Sequence, residues 1–584
     1  MQRYGRGEMN SPRTHQLKRV NPAQYPPRRQ QYLQGDTYLD QMLDVPPPVR
    51  GPNLPFVIQQ PEILVKDWEL NEFLYYGGFY IPRDRLKHHT LSLGTSGSGK
   101  SLLLEISMAW ALSHCKKGSG VKVVLFDTKG DFLPIAAHFA QQQQVPLYYL
   151  NISDNRAIHP EGGVAGYAWD IAKDCDGRLE YLMEMMEILL PTPDQGDPFW
   201  AQGEQGIAIG SAEYYEQQQP GKWGLFDIYN ACLARAPELA KILRHTEFGT
   251  AIAERLLEGN ADKTRDGVLL GVLFKMLHFQ TAAAHQYYTP RERWFSIKEF
   301  MQGEGIVVIS QDLSAKKSSS PIMRAMFQTF VNHYNARPGS KKYPDTFVFM
   351  DEFPFIGKMP GILDVLTFQR SKGVSLYLTC QGIEQLMDQY GVYGAETIAN
   401  NCSFKILCRT ESPTTAEWSV KLAGTQRCFE SHASTQRTAQ GASMGSAEAL
   451  VERTRFITSD FMDMPDTSPY DGLHYFFLSP FTRGMCYRCW KSGKDIETLR
   501  PRKAEVPGMI QKPAQYLRMP SPTKQQAPHT YQQVQQTVNN TAWREEFLNV
   551  DDPLQYALRV ETLALIEKEL EAIFGMMCKR EGNK

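Results

Sequence analysis

Two kinds of apolar run alternate along the chain. Short, nearly unbroken ones stand at LSLG (91–94), VKVVLFD (121–127), GIVVIS (305–310), TFVFMD (346–351), VSLYLTC (374–380) and SFKILCR (403–409). Between them lie longer stretches of helical periodicity. Continuous apolar strands separated by helices predict a buried, mostly parallel sheet with helices on both faces, an α/β fold. Ahead of the first strand, FLYYGGFYIP is broken by Gly-Gly and Pro and predicts a hairpin. Between residues 165 and 300 the alternation stops. RLEYLMEMMEILL and FWAQGEQGIAIGSAEYYEQQQ are helix-like, which predicts an all-α insertion between two strands, with a core of its own. The Ser/Ala/Gly/Gln-rich stretch at 431–448 is expected to be a mobile loop.

The ends of the chain read differently. Residues 1–56 are rich in Pro, Gln and Arg, and the first 35 carry Arg3, Arg6, Arg13, Lys18, Arg19, Arg28 and Arg29 against Glu8 alone. That composition predicts a flexible basic tail. Residues 501–540 are expected as a Pro/Gln-rich linker. In 541–584, Tyr556, Val560, Leu563, Ile566, Leu570, Ile573 and Met577 fall on one face of a helix suited to docking. The nucleotide-binding part is then 57–164 together with 301–500, and the insertion 165–300.

Bulk composition narrows the class without choosing a function. The 584 residues are 42% apolar and 22% charged, with a formal net charge of −1, so contact with a polyanion must come from a local patch or a lined channel. Of ten cysteines only Cys486 and Cys489 are close in sequence; within a β-rich stretch their side chains point to opposite faces, so they read as strand residues and not as half of a zinc site. No signal peptide and no run of 18 apolar residues occurs. The expectation is a cytoplasmic chain that reaches a membrane only through partners.

The chemistry begins at GTSGSGKS, Gly94-Thr95-Ser96-Gly97-Ser98-Gly99-Lys100-Ser101. Gly, four residues, Gly-Lys-Ser between a strand and a helix is the phosphate-loop pattern: backbone N–H groups wrap the β-phosphate at the positive end of the helix. Lys100 suits the β- and γ-phosphate oxygens and Ser101 suits Mg²⁺, so ATP and Mg²⁺ are the expected ligands. A hydrolase needs more than a cradle. FVFMDEFP ends a strand in Asp351, suited to an outer-sphere Mg²⁺ contact, and Glu352, suited to a general base. Gln381 closes VSLYLTC where its amide can meet the attacking water or γ-phosphate, and Arg370 precedes that strand as an arginine finger directed to a neighbouring subunit. Read as bare residues, these two are a polar cap and a solvated arginine. Lys316 and Lys317, in a basic loop after a strand, are the first places to look for DNA contact, although two solvated lysines are the plainer reading.

HHTLSLGTSGSGKS, VVLFDTKGDF, DPFWAQGEQGIAIGSAEYY, FVFMDEFPFIGKM, RSKGVSLYLTCQGIEQLMDQYG, AETIANNCSFKI and TRFITSDFMDMP occur in that order over residues 75–490. Together they resemble the type IV secretion coupling proteins, the conjugation ATPases of TraD/TraG type in the FtsK/HerA branch of hexameric DNA pumps. The resemblance implies a RecA-like P-loop domain interrupted by an all-α domain, assembled as a hexameric ring around a DNA channel. It implies Glu352 as base, Arg370 as finger and Gln381 as γ-phosphate sensor, with Asp127 and Lys129 near the nucleotide. The implied partners are DNA, a relaxase or relaxosome, secretion-channel ATPases and protein effectors. The transmembrane helices usual at the N-terminus of the family are not seen in this sequence, which puts direct membrane attachment in doubt. Two other functions fit: a nucleotide-dependent receptor platform for secreted proteins, and a HerA/FtsK-like motor on intracellular DNA.

Overall fold

The computed structural model describes residues 88–520 apart from short stretches at 162, 194–196, 258–261, 339–342, 439–440, 480–485, 492, 494–495 and 498–499, with the backbone of 57–59, 73–76 and 79–82. The basic tail and the apolar stripe after residue 541 lie outside the described residues.

The strands in chain order are β1 (Val57–Gln59), β2 (Phe73–Tyr76), β3 (Phe79–Pro82), β4 (Thr90–Leu93), β5 (Lys122–Asp127), β6 (Leu147–Leu150), β7 (Gly166–Trp169), β8 (Trp294–Phe295), β9 (Gly305–Ser310), β10 (Thr346–Met350), β11 (Val374–Cys380), β12 (Phe404–Leu407), β13 (Thr425–Thr438), β14 (Gly441–Thr454), β15 (Leu473–Leu478) and β16 (Cys486–Lys491). Twelve of them form one sheet in the order β1-β16-β15-β12-β4-β11-β10-β5-β9-β6-β7-β8. From β12 to β8 every neighbouring pair is parallel; β15 runs antiparallel to β12 and to β16. All six strands expected from apolar runs are present, and β2 and β3 form the expected hairpin.

The core divides at the sheet. Alternate residues of a strand face opposite sides, and the packing follows that rule. Val123, Leu125, Ile306, Val308, Phe347 and Phe349 pack with Leu103, Met108 and Trp110 of the helix Lys100–His114 and with Phe132, Ile135 and Ala136 of the helix Phe132–Gln143. Val124, Phe126, Val307, Ile309, Val348 and Met350 pack on the other side with Met323, Phe327 and Phe330 of the helix Lys316–Asn335. The insertion, whose central helix is Pro198–Gln218, shares this second core through Leu182, Met186, Ile207 and Leu239. Among the described residues the apolar interior of the insertion is continuous with the core on this face of the sheet. Among the described residues no single helix is long and apolar enough to cross a membrane.

Two expectations are corrected. The stretch 431–448 is no loop: β13 and β14 pair antiparallel from Thr425↔Thr454 to Thr438↔Gly441. Small polar side chains hide a strand from hydrophobic patterning, because backbone ladder hydrogen bonds carry the pairing. Nor is the linker free from 501 onward. Ala504 and Val506 pack against the core beneath the sheet, Lys512 is buried, and Ala504 N and Asn155 N donate to Pro134 O and Ile510 O. The strap remains with the body as far as Met519.

Candidate functional site

The turn between β4 and the helix Lys100–His114 is built for close backbone approach. Gly97 and Gly99 have φ of 77° and 92°, left-handed values that a side chain strains. A Cβ on Gly94 would stand 2.6 Å from Cys408 Cβ, and one on Gly99 2.2 Å from Leu473 Cδ1. The loop is anchored on both sides: Gly94 N donates to Cys380 O of β11 (3.3 Å), Thr95 N to Arg409 O beyond β12 (2.7 Å), and Thr467 N to Gly97 O (3.2 Å). Lys100 is buried, and its Nζ donates to Thr95 O at 3.0 Å, which holds the ammonium against the loop. Ser98 Oγ donates to the same carbonyl at 2.7 Å. Ser101 follows in the first helical turn, half-buried. A glycine cradle that side chains would fill, with an ammonium on it and a helix N-terminus behind it, fits a nucleotide phosphate and Mg²⁺.

The acidic pair stands one strand away. β11 separates β4 from β10, so its own carboxyl end, Thr379 to Gln381, lies between the loop and the acids. Thr379 Oγ1 donates to Asp351 Oδ1 at 2.8 Å and accepts from Glu352 N at 2.9 Å. Asp351 is buried. Glu352 has φ 48° and ψ 51°, an uncommon left-handed conformation for a non-glycine residue, which turns it out of the strand direction. Gln381 Nε2 is 3.5 Å from Glu352 Oε2, and Gln381 N donates to Gln385 Oε1.

Lys129 joins this cluster from β5. Its Nζ lies 2.9 Å from Asp351 Oδ2 and 3.2 Å from Glu352 Oε1. Burial alone would lower its pKa, but the two carboxylates outweigh that and raise it. Asp127 does something else. Its Oδ1 accepts from the N–H groups of Lys129, Gly130 and Asp131, and its Oδ2 accepts from Phe132 N. Burial pushes the Asp127 carboxyl up, and these four donors oppose the shift. With its oxygens engaged by the turn, Asp127 fixes the backbone that carries Lys129.

Gly94 to Ser101, Lys129, Asp351, Glu352 and Gln381 thus share the carboxyl edge of the parallel strands, the edge where open α/β sheets bind ligands. Arg370 does not join them. It is exposed, in the turn Gln369–Lys372 ahead of β11, and the seven residues of β11 put about 20 Å between it and the acids. Lys316 and Lys317 open the helix Lys316–Asn335 instead of lying in a loop, and Lys316 Nζ sits 3.6 Å above the Phe355 ring. Sequence reasoning missed Thr379; the signal was a hydroxyl two residues before Gln381 in an otherwise apolar strand. Among the described residues no group of three or more His, Cys, Asp or Glu is arranged to hold a metal.

A family model described as the type IV secretion-system coupling protein DNA-binding domain matches residues 74–476. The chain is 22% identical over 407 residues to the coupling protein TraD of Escherichia coli (strain K12), covering 68% of this chain and 52% of TraD. It is 25% identical over 431 residues to a conjugal transfer protein TraG of Escherichia coli, covering 67% of this chain and 63% of that protein. The chain therefore spans between about half and under two thirds of the length of these relatives. Among solved structures, the unbound bacterial conjugative coupling protein TrwBdeltaN70 shares the fold, with a TM-score of 0.56 at 18% identity over 76% of this chain and 95% of that one. So does the plasmid coupling protein TrwB in complex with ADP and Mg²⁺, with a TM-score of 0.52 at 16% identity over 81% and 99%.

Proposed function

The chain belongs to the type IV secretion-system coupling protein family, and from that premise we propose that it is a P-loop ATPase that moves DNA, free or relaxase-bound, toward a secretion channel. The observation that carries the proposal is the meeting of the glycine loop, Asp351, Glu352 and Gln381 at one sheet edge. A nucleotide-bound coupling protein of the same fold supports it.

In this mechanism Lys100 and the N–H groups of residues 95–101 hold the phosphates, and Ser101 and Asp351 hold Mg²⁺, which when bound neutralises charge on the β- and γ-phosphates. Glu352 takes the proton of the attacking water, and Gln381 orients that water and meets the γ-phosphate. Thr379 keeps both acids in register. Arg370, a strand length from its own chain's acids, acts on the nucleotide of the adjacent copy, so the working form is a ring, expected to be a hexamer. Lys316 and Lys317 are assigned to DNA, with Lys316 steadied on Phe355. The relaxosome, channel ATPases and protein effectors are the proposed partners, and the site of action is the cytoplasmic side of the inner membrane.

The test is the steady-state ATPase rate of the full chain with and without single- and double-stranded DNA, with Glu352→Gln as control. Stimulation by DNA that disappears in Glu352→Gln is expected. A flat response in an oligomeric preparation would transfer the assignment to a cargo-receptor platform.

A further inference from the structure

Lys129 is a cation already seated between the two acids of the site. Its ammonium lies 2.9 Å from Asp351 and 3.2 Å from Glu352, and the backbone that carries it is fixed by the four N–H groups gathered on Asp127. The side chain itself is tied by the two ion pairs. It is 41% exposed, whereas the Asp351 side chain it neutralises is 4% exposed. A buried carboxylate needs a counter-charge, and one end of this pair can return to water at little desolvation cost.

We propose that Lys129 is a displaceable counter-cation: it neutralises Asp351 and restrains Glu352 until Mg²⁺-nucleotide enters, and then yields Asp351 to the metal. Two cations beside one carboxylate repel, so lysine and metal compete. Glu352 is released from its ion pair only when the site is loaded, which couples loading to the freeing of the base. Lys129 acts through Asp351 and Glu352, as a positioning residue. The inference rests on the reading that the glycine loop binds Mg²⁺-nucleotide.

The experiment measures binding and needs no turnover. Anisotropy of a fluorescent ADP analogue on the full chain is followed as MgCl₂ is titrated, for wild type, Lys129→Met and Lys129→Arg, with EDTA controls. Removal of the competing charge in Lys129→Met should lower the half-saturating Mg²⁺ concentration about fivefold or more, a coupling of ordinary size between two sites. Lys129→Arg, which keeps the charge, should stay near wild type. If wild type binds no nucleotide, the P-loop reading itself fails. If wild type binds and the Mg²⁺ curve of Lys129→Met is unmoved or shifted to higher concentration, the competition is overturned. Should Lys129→Met not fold, Lys129→Gln keeps a donor without the charge and carries the same expectation.

Discussion

Two charge clusters stand just beyond the carboxyl ends of neighbouring regions of one sheet, and they differ in the exposure of their cation. Beyond β10, Asp351 and Glu352 meet Lys129, which is 41% exposed. Beyond β6, Asp154 meets Arg156, and both side chains are almost wholly buried, at 1% and 0% exposed. The second cluster is closed on itself. Asp154 accepts from Arg156 N, Nε and Nη2 at 2.9, 3.0 and 2.7 Å and from Ile510 N at 3.2 Å. The same guanidinium donates to Pro507 O and Gly508 O of the strap and lies 4.7 Å over the Tyr149 ring. A charge pair with every polar atom answered and no path to solvent fastens one segment to another. An acid pair with a part-exposed cation and an amide at 3.5 Å keeps room for chemistry. Acidic residues at a sheet edge therefore do not identify a site; the exposure of their partners does.

The sharpest way to break this comparison is to change each cluster and ask what fails. Glu352→Gln keeps shape and hydrogen bonding but cannot take a proton, so kcat for ATP should fall about 10²–10⁴-fold, with ADP affinity and thermal stability near wild type. A normal kcat would remove Glu352 from the base role. Arg156→Ala should do the reverse. It leaves Asp154 buried without its counter-charge, a loss of about 3–5 kcal/mol, seen as early proteolysis within 500–519 and a lower Tm, while nucleotide binding by the folded fraction is unchanged. Adding Asp154→Ala should recover part of that loss; a strap that stays protected in Arg156→Ala would show that apolar contacts alone hold it.

The site was more legible in the sequence than the clasp, for physical reasons. Buried parallel strands leave continuous apolar runs, and a phosphate loop must be local, so Gly94–Ser101, Asp351 and Glu352 could be read from short windows, whereas Gln381 took its expected role from the family resemblance. The clasp joins Arg156 to a carbonyl 352 residues away, and no local pattern announces such a pair. Asp127 was legible only in part: FDTKGDF places it beside the site, but not that its acceptors are turned back on its own turn. The last two strands of the sheet, β7 and β8, four and two residues long, are too short for periodicity and fall inside the expected helical insertion.

The mildest test of the comparison is pH. Lys512 of the strap donates to Ile152 O and meets His285 Nδ1, and His285 Nε2 lies 3.1 Å from Tyr167 O. A lysine donor at Nδ1 and a carbonyl at Nε2 select the neutral imidazole protonated on Nε2. Burial pulls the Lys512 pKa down to about 7, against an opposing pull from Asp154, and burial also takes His285 well below its ordinary value. Between pH 7 and the unfolded lysine value near 10.5, the detached strap binds a proton that the docked strap does not. Docking must therefore strengthen as pH rises through that window, by at most about 1.4 kcal/mol per unit. Neutral His285 adds a slope of the same sign below pH 6.5. Hydrogen exchange at Ile510 N–H, corrected for the intrinsic rate, should show protection growing between pH 7 and 8 in wild type and flat in Lys512→Met. At the other cluster the same rise in pH should leave backbone protection unchanged, since Lys129 is held above its ordinary range and stays charged there. Growth of protection at both clusters, or at neither, would erase the distinction between a closed clasp and an open site.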